Sequence, residues 1–181
     1  HPNGARPGTA PEYTVFTGDW AKPFLESPEW GGALIALPFL YQQYYGDDSL
    51  IRQYYKPMKR YVDYLASQDS CYILRMGLGD WYDYGPWRAG FARNTPMPLV
   101  STAHYYWWNH LMGEARADSI REAFNREFYN PQTHRYASGS QCAQAIALCM
   151  NLVPDGDRQA VLDQLVADIH QHGDRLTTGD I

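Results

Sequence analysis

Residues 49–65 carry apolar side chains at Leu50, Ile51, Tyr54, Tyr55, Met58, Tyr61, Val62 and Leu65. That spacing is helical and gives one broad apolar face. A helix of this kind needs a partner, and the same pattern recurs along the chain. Ser27-Pro28-Glu29 reads as a helix start, with Ser as the cap, Pro at the first position and an acid in the first turn. That first helix should run to about Tyr45 and stop at Gly46, kinked at Pro38. Asp48 should cap the second helix, which Pro57 bends. A third helix starts near Pro98 and carries Val100, Ala103, His104, Trp107 and Leu111. A fourth covers about 115–128 and ends at Asn130-Pro131. A fifth covers about 139–151, and a sixth about 156–171, stopping at Gly173. No strand signal competes. The expected fold class is all-α, with about six helices joined by antiparallel turns, each lending one face to a shared core.

Two stretches break the helical period. Residues 1–26 are rich in Gly, Pro and Thr and read as an extended segment leading into the first helix. Residues 68–97 hold six Gly or Pro residues and the run Trp81-Tyr82-Asp83-Tyr84. A loop this long inside a helical domain is usually functional. The aromatic residues are also uneven. Of 27, residues 1–112 hold 23, including all six Trp. Trp and Tyr each bring a polar atom that needs a partner, so such a concentration has a cause.

Composition excludes several classes. With 45% hydrophobic residues the chain is not disordered. A mean hydropathy of −0.51, with no long uncharged apolar run, gives no membrane-spanning helix. A net charge of −5 without a basic cluster speaks against a nucleic-acid partner. No basic, apolar leader opens the chain, which begins His1-Pro2-Asn3-Gly4. The expectation is a processed chain or a piece of a larger domain, with the compartment left open. Cys142 and Cys149 lie seven apart, roughly 10 Å of helical rise. That exceeds the reach of about 7 Å between the Cα atoms of a disulfide. Both read as small core residues, with no zinc spacing and no expected metal or cofactor.

The sharpest chemistry lies in Gly77-Leu78-Gly79-Asp80-Trp81-Tyr82-Asp83-Tyr84-Gly85-Pro86-Trp87. A sugar shows a C–H face to an aromatic ring and hydroxyls to carboxylates, and this loop offers both. The same residues could equally cap helix ends. Pro28-Glu29-Trp30-Gly31-Gly32 is a second cluster, either a pocket floor or a capping turn with a packed Trp. Glu29, Asp80 and Asp83 could in principle form an acid/base pair, but loop carboxylates more often cap helices or bind hydroxyls. His104 reads as a core or rim hydrogen bonder, and His170 and His172 as cations near a helix C-terminus.

Five motifs stand in a telling order: Ser27-Pro28-Glu29-Trp30-Gly31, Tyr45-Gly46-Asp47, Gly79-Asp80-Trp81, the run from Thr95-Pro96 through Ala103 to Leu111-Met112, and Leu176-Thr177-Thr178-Gly179. Together they resemble the catalytic domain of bacterial α-L-rhamnosidases, glycoside hydrolase family 78. The resemblance implies an (α/α)6 barrel of twelve helices that hydrolyses terminal α-L-rhamnosides with inversion. It implies that the whole of residues 1–181 is a partial barrel, about half, with residues 68–97 as an aromatic pocket loop. The family's acid lies in an Asp-Glu-Arg motif upstream and its base beyond the Thr-Thr-Gly motif. Neither falls on a residue here, so no catalytic residue is expected in this chain. The resemblance does place Trp30 and Trp81 against the rhamnose ring and methyl group, with Asp80 beside them. With Glu29 and Tyr82 these form the expected sugar-binding set. The implied partners are a rhamnose-containing carbohydrate and the remaining segments of the same domain. Rival readings are a helical carbohydrate-binding or scaffold module without chemistry, and another α-toroid hydrolase acting on glucosides or trehalose. Two departures stand out: Gly32 replaces an Asp common in the family, and the passage near residues 113–119 is short.

Overall fold

The computed structural model describes residues 2–9, 18–19, 22–86 and 90–179. Its helices are α1 (Lys22–Leu25), α2 (Pro28–Gly31), α3 (Ala33–Tyr45), α4 (Ser49–Gln68), α5 (Met97–Leu111), α6 (Arg116–Phe128), α7 (Gln141–Cys149) and α8 (Arg158–Gln171). Helices pair in sequence as α3 with α4, α5 with α6, and α7 with α8. Helix α5 also touches α2, α3 and α7. It is buried nearly all round, as expected of an inner wall. Its buried polar side chains are satisfied: Thr102 Oγ1 accepts from Leu74 N at 3.1 Å, and Asn109 Nδ2 donates to Tyr105 O at 2.8 Å. The starts of α5 and α7 lie together, joined by Thr95 Oγ1 and Ser140 Oγ, and the start of α2 reaches the same part of α5 through Glu29 and Ser101.

Several local expectations are corrected. The first helix is not continuous from 27 to 45. It breaks at Gly32, whose position is dictated by α5. A Cβ on Gly32 would lie 2.1 Å from the buried Trp108 ring, and Trp108 Nε1 donates to Pro28 O at 3.0 Å. Pro38 and Pro57 lie inside α3 and α4 without ending them. Asp48 does not cap α4. Its neighbour Asp47 accepts from Ser49 N at 2.8 Å, while Asp48 pairs with Arg52. Lys22–Leu25 forms one helical turn within the segment read as extended, most of whose Pro- and Thr-rich part lies outside the described residues. A small antiparallel hairpin, β1 (Tyr129–Asn130) with β2 (Arg135–Tyr136), interrupts the helices where no strand was expected. Two-residue strands are too short to carry a period. In the stretch 113–119 a tight turn precedes α6, which begins at Arg116; Gly113 adopts the left-handed conformation and Glu114 N donates to Asn109 O at 2.9 Å.

The core runs from Ile35, Met58, Tyr61 and Leu65 through α5 to Phe124, Tyr136, Ala147 and Leu152. Of the three free cysteines Cys142 is buried, while Cys149 is exposed rather than in the core. The expected apolar face of α4 is buried only in its second half. Tyr54 and Tyr55 are exposed, as are Leu37, Leu40, Tyr44 and Tyr45 of α3.

Candidate functional site

Glu29 sits in the first turn of α2, where the helix N-terminus favours an acid. It reaches across to two other elements. Gly79 N donates to Glu29 Oε1 at 3.1 Å and Ser101 Oγ of α5 donates to it at 3.2 Å, while Ser27 Oγ bonds Oε2. Ser27 therefore serves Glu29 rather than capping the backbone. Glu29 is a latch between α2, the 68–97 loop and α5.

Asp80 is fully buried. Its Oδ1 accepts from Gly179 N at 2.6 Å, and its Oδ2 from Thr95 Oγ1 at 3.4 Å. The Cys142 thiol, pushed up by burial, adds a further hydrogen bond from α7. Thr95 Oγ1 also bonds Ser140 Oγ, the cap of α7, at 2.6 Å. Asp83, also buried, accepts from the backbone N–H groups of Arg93 and Asn94 and closes the loop on itself. The Thr-Thr-Gly segment lies along this loop, with Tyr84 N donating to Thr177 O at 3.2 Å. Gly179 is required there, because a Cβ would lie 2.0 Å from Trp81 O.

Burial holds the Asp80 carboxyl above the ordinary carboxylate range, outweighing the hydrogen bonds from Gly179, Cys142 and Thr95 that favour its charge. The folded chain therefore holds this proton more tightly than the unfolded one. Its contribution to stability is greatest below the ordinary pKa and falls as pH rises towards the folded value. An Asp80→Asn variant lacks this loss. Its melting temperature relative to the native chain should rise between about pH 4 and pH 7. A difference that is flat or falls over that window would contradict the raised value.

Trp81 is half-buried in an aromatic nest. Phe24, Tyr82 and Phe91 each meet it edge-on, with ring centroids 5.2 Å away. Tyr82 adopts a positive φ of 66° and turns outward, 54% exposed. A left-handed tyrosine costs roughly 1–2 kcal/mol, which the surrounding loop must impose. Trp30 is half-buried in α2, and Gly8 packs against its ring, while Phe24 O lies close to the same glycine. A chain of neighbours thus connects Trp30 through Gly8 and Phe24 to Trp81. Trp87 lies outside the described residues.

All five expected residues thus lie at the end of the array where α2, α5 and α7 begin. The residues missed from sequence are the partners: Thr95, Ser101, Ser140, Cys142 and Gly179. Ser140 carried a local signal as a Ser before an apolar helical run, and Thr95 and Gly179 stood in the motif set without an assigned role. His104 is buried on α5, with its Nδ1 2.9 Å from Val100 O; burial lowers its pKa and keeps the ring neutral. His170 and His172 stand at the end of α8 beside Asp174 and Asp168. The three carboxylates near the tryptophans all accept hydrogen bonds from the protein itself. That arrangement positions a loop and presents aromatic faces and strained backbone.

The family model of the bacterial alpha-L-rhamnosidase 6 hairpin glycosidase domain matches residues 1–181. An α-L-rhamnosidase of Formosa agariphila is 28% identical over 166 residues, covering 78% of this chain and 17% of that protein. One of Streptomyces avermitilis is 28% identical over 165 residues, covering 83% of this chain and 15% of that protein. The crystal structure of the Streptomyces avermitilis α-L-rhamnosidase complexed with L-rhamnose superposes with a TM-score of 0.81 at 26% identity, over 98% of this chain and 17% of that one. The α-L-rhamnosidase from Dictyoglumus thermophilum gives 0.78 at 28% identity, over 98% of this chain and 21% of that one. This chain therefore spans about a fifth or less of the length of these relatives. With the family model matched along its whole length, the chain belongs to the bacterial α-L-rhamnosidase six-hairpin glycosidase family.

Proposed function

We propose that this chain forms one wall of the sugar pocket in a glycoside hydrolase that cleaves terminal α-L-rhamnosides with inversion, and that the acid and base glutamates lie outside it. One observation carries this reading: the Glu29–Gly79 hydrogen bond ties the start of α2, with Trp30, to the loop that carries Asp80 and Trp81, in a chain of the rhamnosidase family. A deoxy sugar with a methyl group suits aromatic walls. The engaged state of Glu29, Asp80 and Asp83 supports roles in positioning rather than proton transfer. The exposed apolar faces of α3 and α4 support packing against further helices of the same barrel, which would complete residues 1–181 as a partial domain.

The test compares the protein that carries this chain with residues 1–181 alone on an aryl α-L-rhamnoside. The larger protein should release the aglycone, and NMR of the first-formed sugar should show the inverted anomer. The 181 residues alone should show no turnover above buffer. Robust hydrolysis by the isolated chain, or a retained anomer, would refute the respective part of the proposal. Sugar binding without any cleavage by the larger protein would favour a non-catalytic module.

A further inference from the structure

A cavity of about 860 Å3 adjoins the candidate site and shares Tyr84, Asn94, Ser140 and Thr177 with it. It opens beside the Trp81 loop, between that arm, the β1–β2 hairpin, the end of α8 and the 175–177 segment. A volume of this size accommodates one or two sugar rings.

Its walls are fastened to one another. Asn94 Nδ2 donates to Tyr84 O at 2.8 Å and to Thr177 O at 3.3 Å, and Ser138 Oγ donates to Asn94 O. The buried Gln141 amide takes Thr177 N at 3.0 Å and gives to Arg175 O at 3.1 Å. The cavity is thus shaped before any ligand arrives, which lowers the ordering cost of binding.

Its charge is the opposite of the chain's. The chain carries −5 overall, yet Arg135 and Arg175 both line this cavity. Arg135 Nε is held by Gln164 Oε1 at 2.9 Å, which aims the guanidinium and leaves its terminal nitrogens for a bidentate partner. The cavity's one carboxylate, Asp168, lies 3.2 Å from His172 Nδ1. Tyr84, 71% exposed, supplies an aromatic platform at the rim. Two guanidinium groups, one aromatic face and several hydroxyls fit a sugar ring that bears a planar carboxylate.

We propose that this cavity is a binding site for a uronate, an acidic sugar residue of the chain to which the rhamnose is attached, gripped by Arg135 and Arg175 and stacked on Tyr84. The identity of the attached sugar rests on the rhamnosidase reading; the acidic site itself does not.

The test uses the full-length protein that carries this chain, with D-glucuronate and D-glucose titrated by calorimetry. Alongside, kcat/KM is compared for the α-L-rhamnosyl disaccharides of glucuronic acid and of glucose. Glucuronate should bind at least about tenfold more tightly than glucose, and its disaccharide should be favoured by a similar factor. Arg135→Gln and Arg175→Gln should each remove most of that preference. Both side chains are exposed, so the fold should survive, which circular dichroism checks. Equal binding of the two sugars, or a preference that survives both substitutions, overturns the proposal. If neither disaccharide is cleaved while the glucuronate preference and its loss in the variants hold, the rhamnosidase reading fails and the acidic site stands.

Discussion

Trp81→Ala, made in the full-length enzyme, is expected to lower kcat/KM on an aryl α-L-rhamnoside by roughly a hundredfold, about 2.7 kcal/mol of transition-state stabilisation. The expectation follows from what the ring does twice over. In the proposed pocket it offers a face to the sugar, and Phe24, Tyr82 and Phe91 pack edge-on around it. Truncation removes the contact and releases three aromatic neighbours in one step. Trp81→Phe should recover part of the loss, since a smaller ring keeps an aromatic face but fills the nest incompletely. Steady-state kinetics of the two variants check this. An unchanged kcat/KM for Trp81→Ala would remove Trp81 from the pocket.

The second large effect falls on stability. Gly32→Asp should destabilise the fold by about 3 kcal/mol or more, at the upper end of what overpacking a core costs. A Cβ at this position would overlap the Trp108 ring at 2.1 Å, and Trp108 is buried and tied to Pro28 O. Neither the ring nor the start of α2 can move without breaking that bond. The added carboxylate would also enter an aromatic environment with no partner shown for it. Thermal unfolding followed by tryptophan fluorescence reads the effect directly. A melting temperature within 1–2 °C of the native value would mean that Trp108 swings aside at little cost, a shift of well under about 1 kcal/mol. The Gly at this position therefore has a physical reason in this chain: the volume that a side chain would need is occupied by a tryptophan from α5.

These two positions also show which parts of the fold and site were legible in the sequence. Helix locations followed from apolar spacing and from stop signals such as Gly46 and Gly173, which depend on a few adjacent residues. The break at Gly32 did not, because its cause lies at Trp108, on another helix. Asp47 and Asp48 are chemically alike, so which of them holds Ser49 N depends on the backbone angle at the turn. The clustering of Glu29, Asp80 and Trp81 was suggested by motif order. What the carboxylates do there was not visible, since the partners of Asp80 at Thr95, Cys142 and Gly179 come from three separate segments. The cavity between Tyr84, Arg135 and Arg175 left no local trace for the same reason.

Asp80, Asp83 and Glu29 together suggest how the array keeps its pocket end in register. Glu29 and Asp80 accept from donors on other segments, while Asp83 ties its own loop together. The hairpins supply the wall, and these latches set where the aromatic loop stands on it. A rigid platform of this kind is what a sugar site needs, since misplacing an aromatic face by an ångström forfeits much of its contact.

The most direct measurement of this account is a crystal structure of the full-length protein with L-rhamnose. The account predicts sugar density at the end where α2, α5 and α7 begin, with ring or methyl carbons within about 4.5 Å of both Trp30 and Trp81. Rhamnose bound with no atom that close to either indole would contradict it.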